Sequence, residues 1–293
     1  MVQGTIIKGI GGFYYVDIPE QGIYECKAKG IFRNRKQKPL PGDRVTIDIL
    51  DEDKRLGNIT QIAERINELI RPAVANVDQV LIEFATAKPD PNLNLLDRFL
   101  LLMSRQQVNT VLCFNKVDLA GSSTLEYLTG VYEKSGIPLV FISTYTGAGM
   151  EQIRALIAGK TTVFAGPSGV GKSSLLNALL PEANAKTGDI SEKIERGRHT
   201  TRHSELLKTE EGTYLIDTPG FSTLYLDSFE KEELQYHFAE FQPYMGNCRF
   251  LGCSHTHEPD CRVKQAVEAG KISPVRYRHY VEFYEEIKNT RSW

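Results

Sequence analysis

Along the first 68 residues, short β-rich runs are separated by glycine, proline and polar residues. Gly4 to Ile10, Phe13 to Ile18, Gly22 to Ala28, Asp43 to Leu50 and Gly57 to Ile62 each read as a strand. Five short strands in a segment of this size predict a small barrel of the oligonucleotide-binding type, a fold whose loops suit RNA. From about residue 73 the period changes. Strands at Gln79 to Phe84, Thr110 to Phe114, Pro138 to Ile142 and Thr161 to Ala165 alternate with amphipathic helices at Leu95 to Gln106, Thr124 to Ser135, Met150 to Ile157 and Ser174 to Leu180. That alternation predicts an α/β unit with a mainly parallel sheet. Past Gly220, residues 229–242, 262–270 and 275–289 read as helices around a cysteine-rich loop. The expected organisation is therefore a barrel over 1–68, an α/β domain over 69–225 and a small, mostly helical domain over 226–293.

Composition narrows the class. The 293 residues are 41% hydrophobic and 25% charged, as in an ordinary globular protein. A net charge of -2 argues against generic polyanion binding. A local exception runs from Cys26 to Val45, where Lys27, Lys29, Arg33, Arg35, Lys36, Lys38 and Arg44 face one acid, Asp43. This segment alone fits either a solvated loop or a phosphate-contacting surface. No run approaches the roughly 20 apolar residues of a membrane span, and the first residues lack a secretory layout, so the expected location is cytoplasmic. Five cysteines, three of them between Cys248 and Cys261, suit a reduced compartment and a metal site better than disulfides.

Chemistry enters with Gly166-Pro167-Ser168-Gly169-Val170-Gly171-Lys172-Ser173, which lies between a predicted strand and a predicted helix. Its glycines let backbone N–H groups turn inward around phosphates, the helix dipole adds to them, and Lys172 reaches the β and γ oxygens. Ser173 is the candidate Mg²⁺ ligand of this loop, and Ser174 extends the nucleotide-binding set. Asn115-Lys116-Val117-Asp118 ends another strand. Asp118 can accept hydrogen bonds from guanine's ring N–H and amino group, a donor pair that adenine lacks. Asn115 would brace that loop and Lys116 would lie over the base. Ser143-Thr144 follows the next strand, where a backbone N–H could meet the guanine oxygen. Asp217-Thr218-Pro219-Gly220 offers Asp217 to Mg²⁺ and the Gly220 N–H to a γ-phosphate.

Between these motifs, Lys186 to His203 has the character of a switch loop, with Thr200 and Thr201 both candidates for a Mg²⁺-binding threonine. Phe221 stands where many GTPases carry a water-orienting glutamine, which predicts slow intrinsic hydrolysis. His199 could position the water with Arg198 as charge stabiliser; a solvated loop histidine is the other reading. The order of motifs is inverted, because base reading precedes the phosphate loop. A circularly permuted GTPase domain accounts for this, with Gly159-Lys160 as the seam. Cys248-x4-Cys253-x-His255-x5-Cys261 supplies a closed tetrahedral zinc set, with His257 as an alternative to His255, whereas Cys26 and Cys113 read as core residues. Arg276, Tyr277, Arg278, His279 and Tyr280 combine basic and aromatic groups that suit either RNA contact or packing.

With these residues in place, the chain resembles the circularly permuted bacterial GTPases of the RsgA (YjeQ/YloQ) family over nearly its whole length. The resemblance rests on the N-terminal barrel, Asn115 to Asp118 ahead of Gly166 to Ser173, Gly197-Arg198-His199-Thr200-Thr201, Asp217 to Gly220 and the cysteine and histidine cluster. It implies a late maturation factor for the 30S ribosomal subunit that binds 16S rRNA, hydrolyses GTP when bound there and then leaves. It also implies GTP/GDP, Mg²⁺ and one Zn²⁺ as cofactors and a catalytic role for His199. A monomer without membrane attachment is expected. A nucleotide-gated RNA-binding module, or a permuted GTPase acting on tRNA or large-subunit RNA, are the competing expectations.

Overall fold

The computed structural model describes residues 1–29, 32, 38–69, 72–180, 205–217 and 224–290. The first five strands are β1 (Val2–Ile10), β2 (Phe13–Ile18), β3 (Gly22–Ala28), β4 (Arg44–Asp51) and β5 (Leu56–Ile62), and they form a closed barrel in the order β1-β2-β3-β5-β4. All pairs are antiparallel except β3 with β5, which runs parallel and closes the barrel. Alternate residues point inward, so Ile6, Val16, Ile18, Tyr24, Cys26, Val45, Ile47 and Ile59 fill its core. Asp43, the lone acid of the basic stretch, is buried: its two oxygens accept from Arg65 Nε and Nη2 at 2.7 and 2.8 Å, and Oδ2 also takes the Leu40 N–H at 2.7 Å. Within that stretch Lys29 pairs with Asp48 at 3.2 Å and Lys27 lies over the Phe13 ring. Arg33, Arg35 and Lys36 lie outside the described residues.

A short ribbon, β6 (Glu68–Leu69) with β7 (Val74–Ala75), leads into the α/β part. Its elements are β8 (Gln79–Ala85), α1 (Leu93–Arg105), β9 (Asn109–Asn115), α2 (Ser122–Tyr132), β10 (Leu139–Phe141), α3 (Met150–Ile157), β11 (Thr161–Ala165), α4 (Lys172–Leu179), β12 (Leu207–Glu210) and β13 (Thr213–Asp217). Six strands make one sheet in the order β10-β9-β8-β11-β13-β12. β10 runs parallel to β9 and β11 parallel to β13, while β12 is an antiparallel edge. β8 and β11 are buried along their whole length, as their near-continuous apolar runs require in a sheet covered on both faces.

Packing divides the chain into two compact units, each assembled from separated stretches. One comprises Met1–Val80, Glu151–Ala165 and Lys172–Pro219, and the other Leu81–Met150, Gly166–Gly171 and Gly220–Trp293. In the first unit Asp17 of β2 is buried and accepts from Tyr214 Oη at 2.6 Å and from Lys208 Nζ. The second unit holds the C-terminal helices α5 (Arg262–Glu268) and α6 (Pro274–Thr290).

Residues 229–242 differ from the predicted helix: they form two short 3-10 turns, Leu234–His237 and Ala239–Phe241. Phe229, Leu234, Phe238 and Phe241 are all fully buried, and Phe229 would fall off any helical stripe that carries the other three. The chain breaks its helix to bury all four. On α6 the choice between RNA contact and packing falls to packing for most of the basic and aromatic set. Arg276, His279 and Tyr280 are buried, and Tyr277 is half-buried with its hydroxyl donating to the His255 carbonyl at 2.9 Å. Packing has claimed them, and of the five only Arg278 is exposed.

Candidate active site and metal centre

β9 carries the buried run Val111 to Phe114 to its C-terminal end and there delivers Asn115, itself fully buried. The Asn115 Oδ1 accepts the Lys116 N–H at 2.6 Å and the Thr144 N–H at 3.2 Å, while its Nδ2 donates to Glu83 Oε1 at 2.8 Å. Lys116 adopts a left-handed conformation (φ 64°), which turns the chain sharply. Its Nζ then donates to the Gly169 carbonyl at 2.7 Å and the Lys88 carbonyl at 2.5 Å. Asp118 stands exposed at the rim, one oxygen accepting from Ser143 Oγ at 2.5 Å. That same Ser143 Oγ accepts the Thr146 N–H at 3.0 Å, so the turn after β10 is fastened to the base-reading motif. Asn115, Lys116, Asp118, Ser143 and Thr144 thus come together, with a carboxylate placed where it could receive guanine's donor pair.

The phosphate loop is held to the same framework by close backbone approach. A Cβ on Gly166 would lie 2.1 Å from the Glu83 carbonyl oxygen, and one on Gly171 would lie 2.3 Å from Asn115 Nδ2. Both glycines also have positive φ, so no other residue fits either position without displacing the end of β8 or β9. Such a cradle suits a polyphosphate, whose oxygens take the inward N–H groups. Pro167, Ser168 and Val170 complete the loop, and Lys172, only 9% exposed, opens α4 with Ser173 and Ser174 behind it. Asp217 ends β13 opposite Phe164 of β11, at the sheet end where these parallel strands point their carboxyl termini, the usual site of ligand binding in such sheets. His199, Arg198, Thr200, Thr201, Gly220 and Phe221 lie outside the described residues.

In the second unit Cys248, Cys253, His255 and Cys261 converge, their ligand atoms all within 4.8 Å of one another. A tetrahedral zinc ion spaces its ligands about 3.8 Å apart between sulfurs and about 3.5 Å between sulfur and nitrogen. Cys248 Sγ lies 3.9 Å from Cys261 Sγ and 3.6 Å from His255 Nδ1, which is 3.3 Å from Cys261 Sγ. The donor set and spacing therefore fit one zinc ion. His255 Nε2 faces Gln235 Oε1 at 2.9 Å, so a proton there leaves Nδ1 free to ligate, and burial favours the neutral ring. Burial also pushes the Cys253 thiol up to about 12, so a bound cation is needed to hold it as thiolate at neutral pH. His257, the alternative ligand, is 78% exposed in its side chain and pairs with Glu285 at 3.3 Å instead.

A family model described as RsgA GTPase matches residues 62–227, and one described as RsgA N-terminal domain matches residues 3–59. The chain belongs to the RsgA GTPase family. It is 53% identical to the small ribosomal subunit biogenesis GTPase RsgA of Agathobacter rectalis and 49% identical to that of Alkaliphilus metalliredigens, each over 100% of both chains. Among solved structures, YloQ, a circularly permuted GTPase, matches with a TM-score of 0.80 at 37% identity, over 100% of this chain and 97% of that one. YjeQ from Thermotoga maritima matches with a TM-score of 0.83 at 36% identity, over 99% of each. As an RsgA family member the chain is a GTPase with a permuted nucleotide domain, so GTP, GDP and Mg²⁺ are its nucleotide and metal partners. Sequence reading passed over Glu83, although a signal existed: it is the single acid in a central strand that is apolar from Val80 to Ile82 and again at Phe84 and Ala85.

Proposed function

We propose that this GTPase serves the biogenesis of the small ribosomal subunit, binding the 30S particle through 16S rRNA and using GTP hydrolysis to leave it. Full-length relatives at 53% and 49% identity bear that name, and this supports the partner. The observation that carries the nucleotide part is the contact of Lys116 Nζ with the Gly169 carbonyl, which ties the base-reading motif to the phosphate loop despite their inverted order.

In this reading Asp118 selects guanine and Asn115 braces its loop. The turn at Ser143 and Thr144 closes over the base. The N–H groups of Gly166 to Ser174 and the Lys172 ammonium hold the phosphates, and Ser173 and Asp217 hold Mg²⁺ together with Thr200 or Thr201. Bound Mg²⁺ supplies charge neutralisation on the β and γ oxygens. His199 orients the attacking water, Gly220 donates to the γ-phosphate, and the protein works as a cytoplasmic monomer. The barrel (1–68) and a domain over 226–293 carrying one zinc dock on rRNA, while 69–225 hydrolyses GTP. Among the described residues no helix is long and apolar enough to cross a membrane.

The decisive experiment measures GTP hydrolysis with and without purified 30S subunits. The expected result is slow turnover alone, stimulation on the order of 10²-fold or more by 30S but not by 50S subunits, and no turnover in Lys172→Ala. A flat response to 30S subunits would overturn the proposal.

A further inference from the structure

Glu83 sits inside β8 with no exposed surface. A carboxylate in such a place is costly unless hydrogen bonds hold it. Its Oε1 accepts from Asn115 Nδ2 at 2.8 Å, and the same oxygen lies 3.0 Å from the position a Cβ would take on Gly171. Its backbone carbonyl abuts Gly166. One residue therefore touches both ends of the phosphate loop and the first residue of the base-reading motif.

We propose that Glu83 is a positioning residue for guanine-nucleotide binding, fixing the orientation of the Asn115 carboxamide through an acceptor bond. This rests on the reading of Asn115 to Asp118 as the base site and of Gly166 to Ser173 as the phosphate site. A carboxamide has a donor end and an acceptor end, and a half-turn exchanges them. With Nδ2 committed to Glu83, Oδ1 faces two donors, the N–H groups of Lys116 and Thr144. Turned over, the amide would set its own N–H groups against those donors and lose both bonds. Glu83 supplies the preference for the productive orientation. The line of contacts continues from the Lys116 backbone through its side chain to Gly169, so the orientation of one amide sets how the base-reading motif and the phosphate loop sit together.

The test uses the full-length protein with Glu83→Gln, Glu83→Met and Glu83→Ala, read by titration with N-methylanthraniloyl-GDP and by KM and kcat for GTP with 30S subunits present. Glutamine keeps a carbonyl acceptor and loses the charge; methionine keeps the volume and loses the acceptor. The expected result is GDP affinity weakened about tenfold and KM for GTP raised about tenfold in Glu83→Met and Glu83→Ala, with kcat within about twofold of the parent. Glu83→Gln should bind within about twofold of the parent. If methionine binds as tightly as glutamate, or if glutamine binds as weakly as methionine, the acceptor role is wrong. Should alanine fail to fold, the glutamine and methionine pair still decides. Unaltered GDP binding in both Lys172→Ala and Asp118→Asn would instead overturn the site reading beneath the proposal, and the proposal with it.

Discussion

Arg276 projects from α6 into a site where its side chain is only 4% exposed. Nη1 donates to Asp97 Oδ1 at 2.6 Å, and Nε and Nη2 donate to Glu240 at 2.8 and 3.2 Å. The guanidinium also lies over Phe238 at 4.7 Å and Tyr132 at 5.7 Å, and Asp97 takes a further bond from His279 Nδ1 at 2.5 Å. Burial alone would push the Arg276 pKa down, but Asp97 and Glu240 together drive it well above its ordinary value. Replacing the arginine by methionine fills much of the space but leaves two buried carboxylates without their shared cation. Breaking a buried pair costs about 3–5 kcal/mol. At about 4 kcal/mol, and roughly 2–4 °C per kcal/mol for a chain of this order of size, Arg276→Met should lower Tm by roughly 8–16 °C. Far-ultraviolet circular dichroism during heating reads this directly, and added salt should change it little because water is excluded from the pair. The companion variant, Arg276→Met with Asp97→Asn and Glu240→Gln, should regain most of the loss, since no buried charge is then left uncompensated. A loss below about 1 kcal/mol in the single variant, the range of an exposed ion pair, would refute the argument. So would a triple variant no more stable than the single one.

Further outcomes concern the loop that carries Cys248, Cys253, His255 and Cys261. Burial pushes the Glu258 carboxyl up, but bonds from the Ser254 N–H at 2.8 Å, the Ser254 hydroxyl at 2.7 Å and the Thr256 N–H at 3.2 Å outweigh it and bring it down to about 2. A folded value below the ordinary 4.5 stabilises above that pH and is lost as pH falls toward 2. Glu258→Gln should therefore cost about 1–2 kcal/mol at pH 7, discounted for partial exposure, and flatten the acid limb of stability in denaturant titrations; an unchanged limb would contradict the assignment. Zinc uptake must expel protons from the buried thiols, so apparent zinc affinity should fall with falling pH, by up to about tenfold per thiol per pH unit. Competition with a chromophoric chelator would reveal a flat profile if the thiols were not ligands, and Cys253→Ser should lower the zinc content measured by mass spectrometry.

Local patterning made much of the fold readable. The alternation in the first half of β4 and the buried apolar run of β11 are each local patterns, and the helices α1, α3 and α6 begin and end within a few residues of their expected limits. What local pattern does not encode is partnership across distance. Nothing in Gly22 to Ala28 indicates that β3 closes the barrel by pairing parallel with β5, because that pairing depends on the whole circuit of strands. Sequence alone could not decide between RNA contact and packing for Arg276, because its compensation, Asp97, lies 179 residues away. Spacing alone could not choose between His255 and His257, whereas burial and the geometry of three sulfurs place His255 in the cluster. Glu83 escaped notice for the same reason, since an acid in a strand gains its meaning only from Asn115 beside it.

Asp17 has a consequence for how the chain is made. Its partners, Lys208 and Tyr214, leave the ribosome nearly two hundred residues after it. Throughout most of translation the barrel's second strand thus carries an acid whose interior seat has no cation or hydroxyl to receive it, and water must fill that role. A nascent or truncated chain ending after the barrel should be loosely seated at this edge, and arrival of β12 and β13 should lock it. The first segment to emerge is then among the last to be finished.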